Sequence, residues 1–411
     1  MRVGPRRCAP LPGGFGAYLD ENAEDARWTA RIADAFEAAG GRSVADVALD
    51  IAGAAALSPA AQRLMDPSST PAQVAAAWKE LGLTAEDIAA LPLRTQVRVA
   101  NLDGVPAVAR DVASRRVLAA AVRDPQRMYR LFGLASTYGA VSLDEFTAQV
   151  HALAQGIQRA DRIAAELRNP SDAVAQLVGF GVANGAPVAA VVLGNLDTAE
   201  NVTVNVPGAT TTLDSTRQKA LAAAGLLGSA ADIGSATSYA VVSWFGSRAP
   251  AIPAVPAQGR AAAGGAELAS FLDGIHDSRG GAPRRLTVLG HSYGSTTAAE
   301  ALAQTRHRVD TFVTYGSVGF TDATRPEHLN VGHVYATEGQ ADHTAIKGRI
   351  GRTDPRDLPD VEVFSSEAAD GFAAVTGHDM YPESAGQVGY LTPGSTAQHT
   401  ISQIIATGGR G

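Results

Sequence analysis

Gly290-His-Ser292-Tyr-Gly294 lies between an apolar run at residues 286–289 and an alanine-rich stretch at residues 296–304. A serine at a sharp strand-to-helix bend can attack a carbonyl. The bend exposes the hydroxyl, and the N-terminus of the following helix favours developing negative charge. Glycines at 290 and 294 meet a steric requirement, since side chains there would collide with neighbouring backbone. The pattern alone says little in a chain with 43 glycines. Its flanks give it force, because residues 286–289 suit a buried parallel strand.

A nucleophilic serine needs a base, and the base needs an orienting acid. At the ends of successive strands these follow in the order Ser, Asp or Glu, His. Downstream of Ser292 stand His307, His328, His333, His343, His378 and His399. His378 is expected to be the base, because it lies in a late loop beyond the strand-like Val361-Glu-Val-Phe364. His399, in a predicted C-terminal helix at residues 395–406, is the runner-up. His307 reads as a solvated helix-end residue. Asp342, a few residues past a strand ending at Thr337, is expected to be the acid, with Glu338 as the alternative. Asp354, Asp357 and Asp360 read as solvated surface.

An oxyanion needs two donors. One is expected to be the N–H of Tyr293, directly after the nucleophile. The other is Ala209, with Thr210 as its neighbour, after the alternating strand Asn201-Val-Thr-Val-Asn-Val206 and the turn Pro207-Gly208. Trp244, Thr210 and His291 are expected to line the substrate pocket. The histidines lack the His-x-x-x-His spacing of a helical zinc site, so neither metal nor cofactor is expected.

The elements that must hold these groups can be read along the chain. Residues 20–39, 71–81 and 106–122 have helical patterning, and Ser142-Leu-Asp-Glu145 is a capping box. The helix it opens carries Leu143, Phe146, Val150, Leu153, Ile157, Ala160, Ala164 and Leu167, a seam spaced by threes and fours. That seam suits either packing within its own domain or a helical interaction module. Strand patterns follow at residues 174–180, 188–193 and 202–206, too close together for crossover helices, so an antiparallel start is predicted. Strand and helix then alternate, with strands at 239–244, 286–289, 311–315 and 334–337. That order implies a parallel sheet with helices on both faces, and ligands beyond the carboxyl ends of its strands.

The 411 residues are 45% hydrophobic and 18% charged, enough apolar material for a large core. The net charge of −7 argues against nucleic acid as a partner. Cys8 is the only cysteine, which leaves no internal disulfide and fits a reducing compartment. No stretch approaches 18 consecutive apolar residues, and no h-region follows the basic start. A cytoplasmic location without a transmembrane segment is expected, with leaderless export as the other possibility. Oligomeric state is left open.

Asn101-Leu-Asp-Gly-Val-Pro106 with Arg110-Asp111, Asp197-Thr-Ala-Glu-Asn-Val202 leading to Val206-Pro-Gly208, the strand at 239–244 and Gly290-His-Ser-Tyr-Gly-Ser295 form a set. The set resembles a largely actinobacterial family of α/β hydrolases catalogued as a domain of unknown function. The likeness covers roughly residues 70–405. It implies an α/β-hydrolase fold, a mostly parallel sheet flanked by helices, at 173–411, preceded by an all-helical N-terminal region at 1–172. It also implies a Ser292–Asp342–His378 serine hydrolase. Ser114 departs from the asparagine the resemblance leads to. The expected reaction is cleavage of a carboxylic ester of a small molecule, a lipid or a secondary metabolite. Amide or thioester cleavage and acyl transfer would use the same residues, and a non-enzymatic interaction protein on this scaffold is the reading from another class.

Overall fold

The computed structural model describes residues 58–167, 173–208, 211–236, 238–246, 259–382 and 384–409. The helix expected at 20–39 lies outside them, as do Cys8, Ala209 and Thr210.

The described chain opens with α1 (Pro59–Met65), α2 (Pro71–Leu81), α3 (Ala85–Ala90), α4 (Leu93–Ala100), α5 (Ala107–Arg123), α6 (Pro125–Leu131) and α7 (Leu143–Glu166). Three of these starts carry reciprocal caps. Thr70 with Gln73, Thr84 with Asp87, and Ser142 with Glu145 each close a reciprocal capping box, which satisfies amides that a helix start leaves open. The α5 start is different. Pro106 offers no side-chain cap, and the carboxylate of Asp197 accepts from the N–H groups of Ala107 and Val108 at 2.7 and 2.9 Å.

One eight-stranded sheet contains β1 (Ala175–Ala183), β2 (Ala186–Leu193), β3 (Asn201–Val206), β4 (Tyr239–Phe245), β5 (Arg285–His291), β6 (Val309–Tyr315), β7 (Val331–Thr337) and β8 (Val361–Val363). Their order is β1-β2-β4-β3-β5-β6-β7-β8. β2 runs antiparallel to β1 and β4, and every other pairing is parallel. Asn184-Gly185, both at positive φ, make the two-residue turn between β1 and β2, the turn type whose twist matches a hairpin.

One expectation is corrected here. β3 does not extend the antiparallel start but lies between β4 and β5, parallel to both. The link from Leu193 to Asn201 need only cross two strand spacings of about 4.8 Å, which a few residues span. All of β3 is buried, and a strand without an exposed edge gains most in the sheet interior.

Four further helices lie beside the sheet and one short helix follows β7: α8 (Thr216–Ile233), α9 (Gly259–Arg279), α10 (Tyr293–Leu302), α11 (His343–Gly348) and α12 (Thr396–Thr407). Alternation along β4 shows the two faces. Tyr239, Val241 and Phe245 join a core with α7, α8 and α12, while Ala240, Val242 and Trp244 join one with α9 and α10. This is the period of two that a doubly covered strand requires.

The α7 seam is consumed inside the fold. Phe146, Val150, Leu153, Ile157, Ala160 and Ala164 are buried in the same core as Leu226, Ile401 and strands β1 and β2. A Cβ on Gly156 would fall 2.5 Å from Thr216, so α7 and α8 cross at close range. One core therefore joins residues on both sides of position 172.

The sequence elements away from the elbow tie helices to sheet. Asn101 donates to the carbonyls of Val97 and Phe180, both at 2.8 Å. Asp103 accepts from Arg110 and Ser270 at 2.9 and 2.7 Å. Gly104, at φ 95°, stands so close to Pro71 that a Cβ would lie 2.2 Å from its carbonyl oxygen. Asp111 accepts from the N–H of Leu177 at 2.6 Å, and Arg115 grips Asp161 through two nitrogens. Ser114 is fully buried, and its hydroxyl finds no hydrogen-bond partner among the described residues.

No helix among the described residues is long and apolar enough to cross a membrane.

Candidate active site

β5 ends at His291 and α10 begins at Tyr293, leaving Ser292 alone at the bend with φ 51° and ψ −126°. Such a conformation costs on the order of 1–3 kcal/mol for a residue with a Cβ and persists only where its surroundings enforce it. They do so here. A Cβ on Gly290 would lie 2.6 Å from Ser295 Cα, and one on Gly294 only 2.3 and 2.4 Å from the carbonyl oxygens of Val206 and Pro207. Ser295 Oγ donates to the Ser292 carbonyl at 2.5 Å and meets Ser317 Oγ at 2.6 Å, which braces the bend from below.

Asp342 follows β7 and caps α11, its Oδ1 accepting from the N–H groups of Thr344 and Ala345 at 3.1 Å each. His378 lies beyond β8. Its Nδ1 is 2.9 Å from both Asp342 oxygens, and its Nε2 is 2.8 Å from Ser292 Oγ. Because a carboxylate only accepts, Nδ1 carries the proton, and Nε2 is left to accept from the serine hydroxyl. Tyr390 adds a third donor to the acid, its hydroxyl 2.7 Å from Asp342 Oδ2. Burial alone would raise the Asp342 carboxyl, but the hydrogen bonds and charge of His378, then Tyr390 and the Ala345 amide, outweigh it and hold the pKa at about 2. Burial and the adjacent carboxylate push the Tyr390 phenol far above its ordinary range, so it remains a donor. The structure thus brings Ser292, His378 and Asp342 together.

The other candidates are occupied elsewhere. Glu338 pairs with Arg349 and, at 2.9 Å, with Arg356. Asp354, read as solvated, closes that group against the same two arginines at 2.8 and 2.7 Å. His399 stacks on Phe372 at 4.1 Å. His307 is not a solvated helix end. It stacks on His276 at 3.5 Å and bonds Asp277 at 2.9 Å, just before β6 and so at the opposite end of the sheet from Ser292. Among the described residues these three are the only His, Cys, Asp or Glu ligand atoms close enough to share an ion. Near-parallel rings aim their nitrogens along parallel lines rather than at a common point, and Arg306 already holds Asp277 at 2.7 Å.

His291, expected to face substrate, instead holds the backbone of His378. Its ring is buried, and Nε2–H donates to the carbonyl of His378 at 2.7 Å. Burial, with the nearby charges of His378 and Lys219, holds its pKa well below the usual histidine range, so the ring stays neutral. Tyr315 stacks on it at 5.1 Å and donates to Asn205 at 2.7 Å. Asn205 in turn reaches Met380 Sδ at 3.4 Å. The ends of β3, β5 and β6 therefore grip residues 378–380. Removing the donor leaves a buried carbonyl unsatisfied, a loss of about 1–3 kcal/mol. His291→Ala is expected to lower kcat by about tenfold or more with KM within about twofold, and His291→Gln to recover part of it. Equal rises in KM and losses in kcat would contradict this role.

Gly208 faces Ser292. A Cβ there would lie 2.8 Å from Ser292 Cβ and 3.2 Å from its Oγ. Neither atom can retreat without moving the bend, and a misplacement of this size costs about 10²-fold. Gly208→Ala is therefore expected to lower kcat by that order while leaving the melting temperature within a few degrees, measured by ester turnover and thermal unfolding. Tyr293 opens α10 beside Ser292, whereas Ala209 and Thr210 fall outside the described residues. Trp244 is 4% exposed and taken up in the core with Leu268 and Leu272. A side chain at the end of β4 that alternates onto the α9 face is drawn into that core rather than toward Ser292. Tyr390, which no motif marks, is the residue beside Asp342 that the sequence concealed.

A family described as alpha/beta hydrolase matches residues 183–351. Two uncharacterized proteins, from two strains of Mycobacterium tuberculosis, are 30% identical over 289 residues, which is 65% of this chain and 43% of each of them. The chain thus spans under half the length of these relatives. Among solved structures, a CIB-like hydrolase from Thermoplasma acidophilum is 13% identical, covering 56% of this chain and 96% of its own at a TM-score of 0.33. An alpha/beta hydrolase enzyme from the metagenome of Lake Arreo, Spain, is 12% identical, covering 68% and 95% at a TM-score of 0.35. With its strand order, its flanking helices and the family match across β2 to α11, the chain has the α/β-hydrolase fold.

Proposed function

We propose that the protein is a serine hydrolase that cleaves a carboxylic ester of a small molecule, lipid or secondary metabolite through an acyl-enzyme. The observation carrying this reading is the unbroken chain of hydrogen bonds from Ser292 Oγ through both nitrogens of His378 to Asp342, at 2.8 and 2.9 Å. Ser292 Oγ attacks the ester carbonyl while His378 Nε2 takes its proton. Asp342 holds the imidazole in the required tautomer and stabilises the imidazolium. The amides of Tyr293 and Ala209 receive the oxyanion. His378 gives its proton to the departing alcohol, then activates the water that releases the acid and restores Ser292.

Amidase, thioesterase or acyltransferase chemistry would run on the same residues, and matched amide, thioester and alcohol-acceptor substrates separate these from ester hydrolysis. The reading as an interaction protein loses its motive, because the α7 seam is buried in the fold's own core. A fluorophosphonate probe combined with short p-nitrophenyl esters tests the proposal. Wild type is expected to be labelled at Ser292 and to turn the esters over, and the absence of both would end the reading.

A further inference from the structure

Tyr390 is bonded to both halves of the Asp342–His378 pair. Its main chain runs beside the segment that carries His378. There the N–H of Thr376 donates to the Val388 carbonyl at 2.9 Å, that of Tyr390 to the Asp379 carbonyl at 3.2 Å, and that of Leu391 to the Met380 carbonyl at 2.8 Å. Its side chain is fully buried, with the rings of Tyr315 and His291 at 5.5 and 6.1 Å, and its hydroxyl ends 2.7 Å from Asp342 Oδ2. The direction of that bond is fixed. The N–H of Gly339 donates to the phenol oxygen at 3.1 Å and a carboxylate only accepts, so the single phenol proton goes to Asp342. Backbone presses in behind the contact. A Cβ on Gly316, at φ 57°, would lie 2.8 Å from Asp342 Oδ2 and 3.1 Å from Tyr390 Cε2, so the carboxylate has little room to turn. Asp342 Oδ2 thus serves two donors, His378 Nδ1 at 2.9 Å and the phenol at 2.7 Å. Each hydrogen bond stabilises the carboxylate charge, and what the phenol takes up is withdrawn from the imidazolium that forms when His378 is protonated.

We infer that Tyr390 is a positioning residue that sets how far into acid the reaction runs: it holds the Asp342 carboxylate against His378 and weakens the pull that would keep His378 protonated. The inference rests on the hydrolase reading above and adds to it a control of the pH range. Burial and the Asp342 carboxylate push the phenol far above its ordinary range, so it stays a donor. Asp342, held at about 2, stays ionised, so an acidic limb near neutral pH would not be its own titration. The other titratable groups around the pair are His291, whose ring lies 4.9 Å from that of His378, Lys219, which acts on His291, and Asp379, next to His378 in the chain. Arg349 and Arg356, whose charges interact with Tyr390, are held by Glu338 and Asp354. All of them remain in Tyr390→Phe, so none produces a difference between that variant and wild type.

The test is the pH dependence of kcat/KM for p-nitrophenyl butyrate, and of the rate of fluorophosphonate labelling, in the full chain and in Tyr390→Phe. The acidic limb of both profiles is expected to move to higher pH in the variant by about 0.5–1, a fraction of what a whole neighbouring charge exerts. Above the limb, kcat is expected to fall by about tenfold as Asp342 loosens. A tyrosine with a purely structural role would lower kcat and leave the limb in place. A limb that stays or moves to lower pH therefore overturns the Tyr390 inference and leaves the hydrolase reading standing. Should Tyr390→Phe fail to label, 3-fluorotyrosine at position 390 decides. As the stronger donor it is expected to move the limb to lower pH, and a limb unmoved or raised overturns the inference. Wild type that neither labels nor turns over the ester overturns both.

Discussion

Ser292→Ala is expected to lower kcat for p-nitrophenyl esters by about 10⁶-fold and to abolish fluorophosphonate labelling. In a Ser–His–Asp constellation the nucleophile and base act as a unit, and removing either costs about that much. What remains would come from binding and oxyanion donors alone, roughly 10³–10⁴ over water. The fold should survive, because Gly290, Gly294 and the Ser295–Ser317 hydroxyl pair enforce the bend rather than the Ser292 side chain. A melting temperature within a few degrees of wild type, measured beside the kinetics, separates loss of chemistry from loss of structure. Unchanged turnover in the variant would remove Ser292 from the mechanism.

Asp342→Asn is expected to cost about 10⁴-fold in kcat with little change in KM. An amide at this position offers a donor toward His378 Nδ1, which favours the tautomer whose Nε2 carries the proton and cannot accept from Ser292. It also disturbs Tyr390 and the α11 cap, since both amides of that cap point at Asp342 Oδ1. Stability carries an independent signature. The folded pKa, about 2, is lower than the ordinary 3.8, so the carboxylate contributes stability that is present above 3.8 and lost as pH falls toward 2. The stability gap between wild type and Asp342→Asn should therefore narrow across that window. A gap constant with pH would show that the charge of Asp342 does not stabilise the fold.

The elbow and its partners were legible for different reasons. Ser292 is fixed by local chemistry: two glycines with no room for a Cβ, an apolar strand before and a helix after. Asp342 and His378 were legible only by position, as residues past the ends of β7 and β8, and the ion pairs of Glu338 and the stacking of His399 had to be seen to set those two aside. The helix opened by the capping box at Ser142 started where the sequence indicated, because the capping partners lie three residues apart, and the helix at 71–81 started where its amphipathic pattern did. The start of α5 was legible from Pro106, but its cap was not, because Asp197 supplies it from 90 residues away. β3 was misplaced for a related reason. Alternation specifies a strand but not its neighbours.

The chain by itself settled what is local: the bend at Ser292, the capped helix starts, and the succession of strands and helices that leads to a parallel sheet. These depend on dihedral preference, steric exclusion and periodicity over a few residues, all of which are properties of adjacent positions. Tertiary structure decided what depends on contacts between distant positions. It put β3 between β4 and β5, turned Trp244 into the core, and set His291 to hold the carbonyl of His378. It also aimed the Tyr390 hydroxyl at Asp342. Each outcome is a competition between buried groups for partners many residues away, and only the packed chain resolves it.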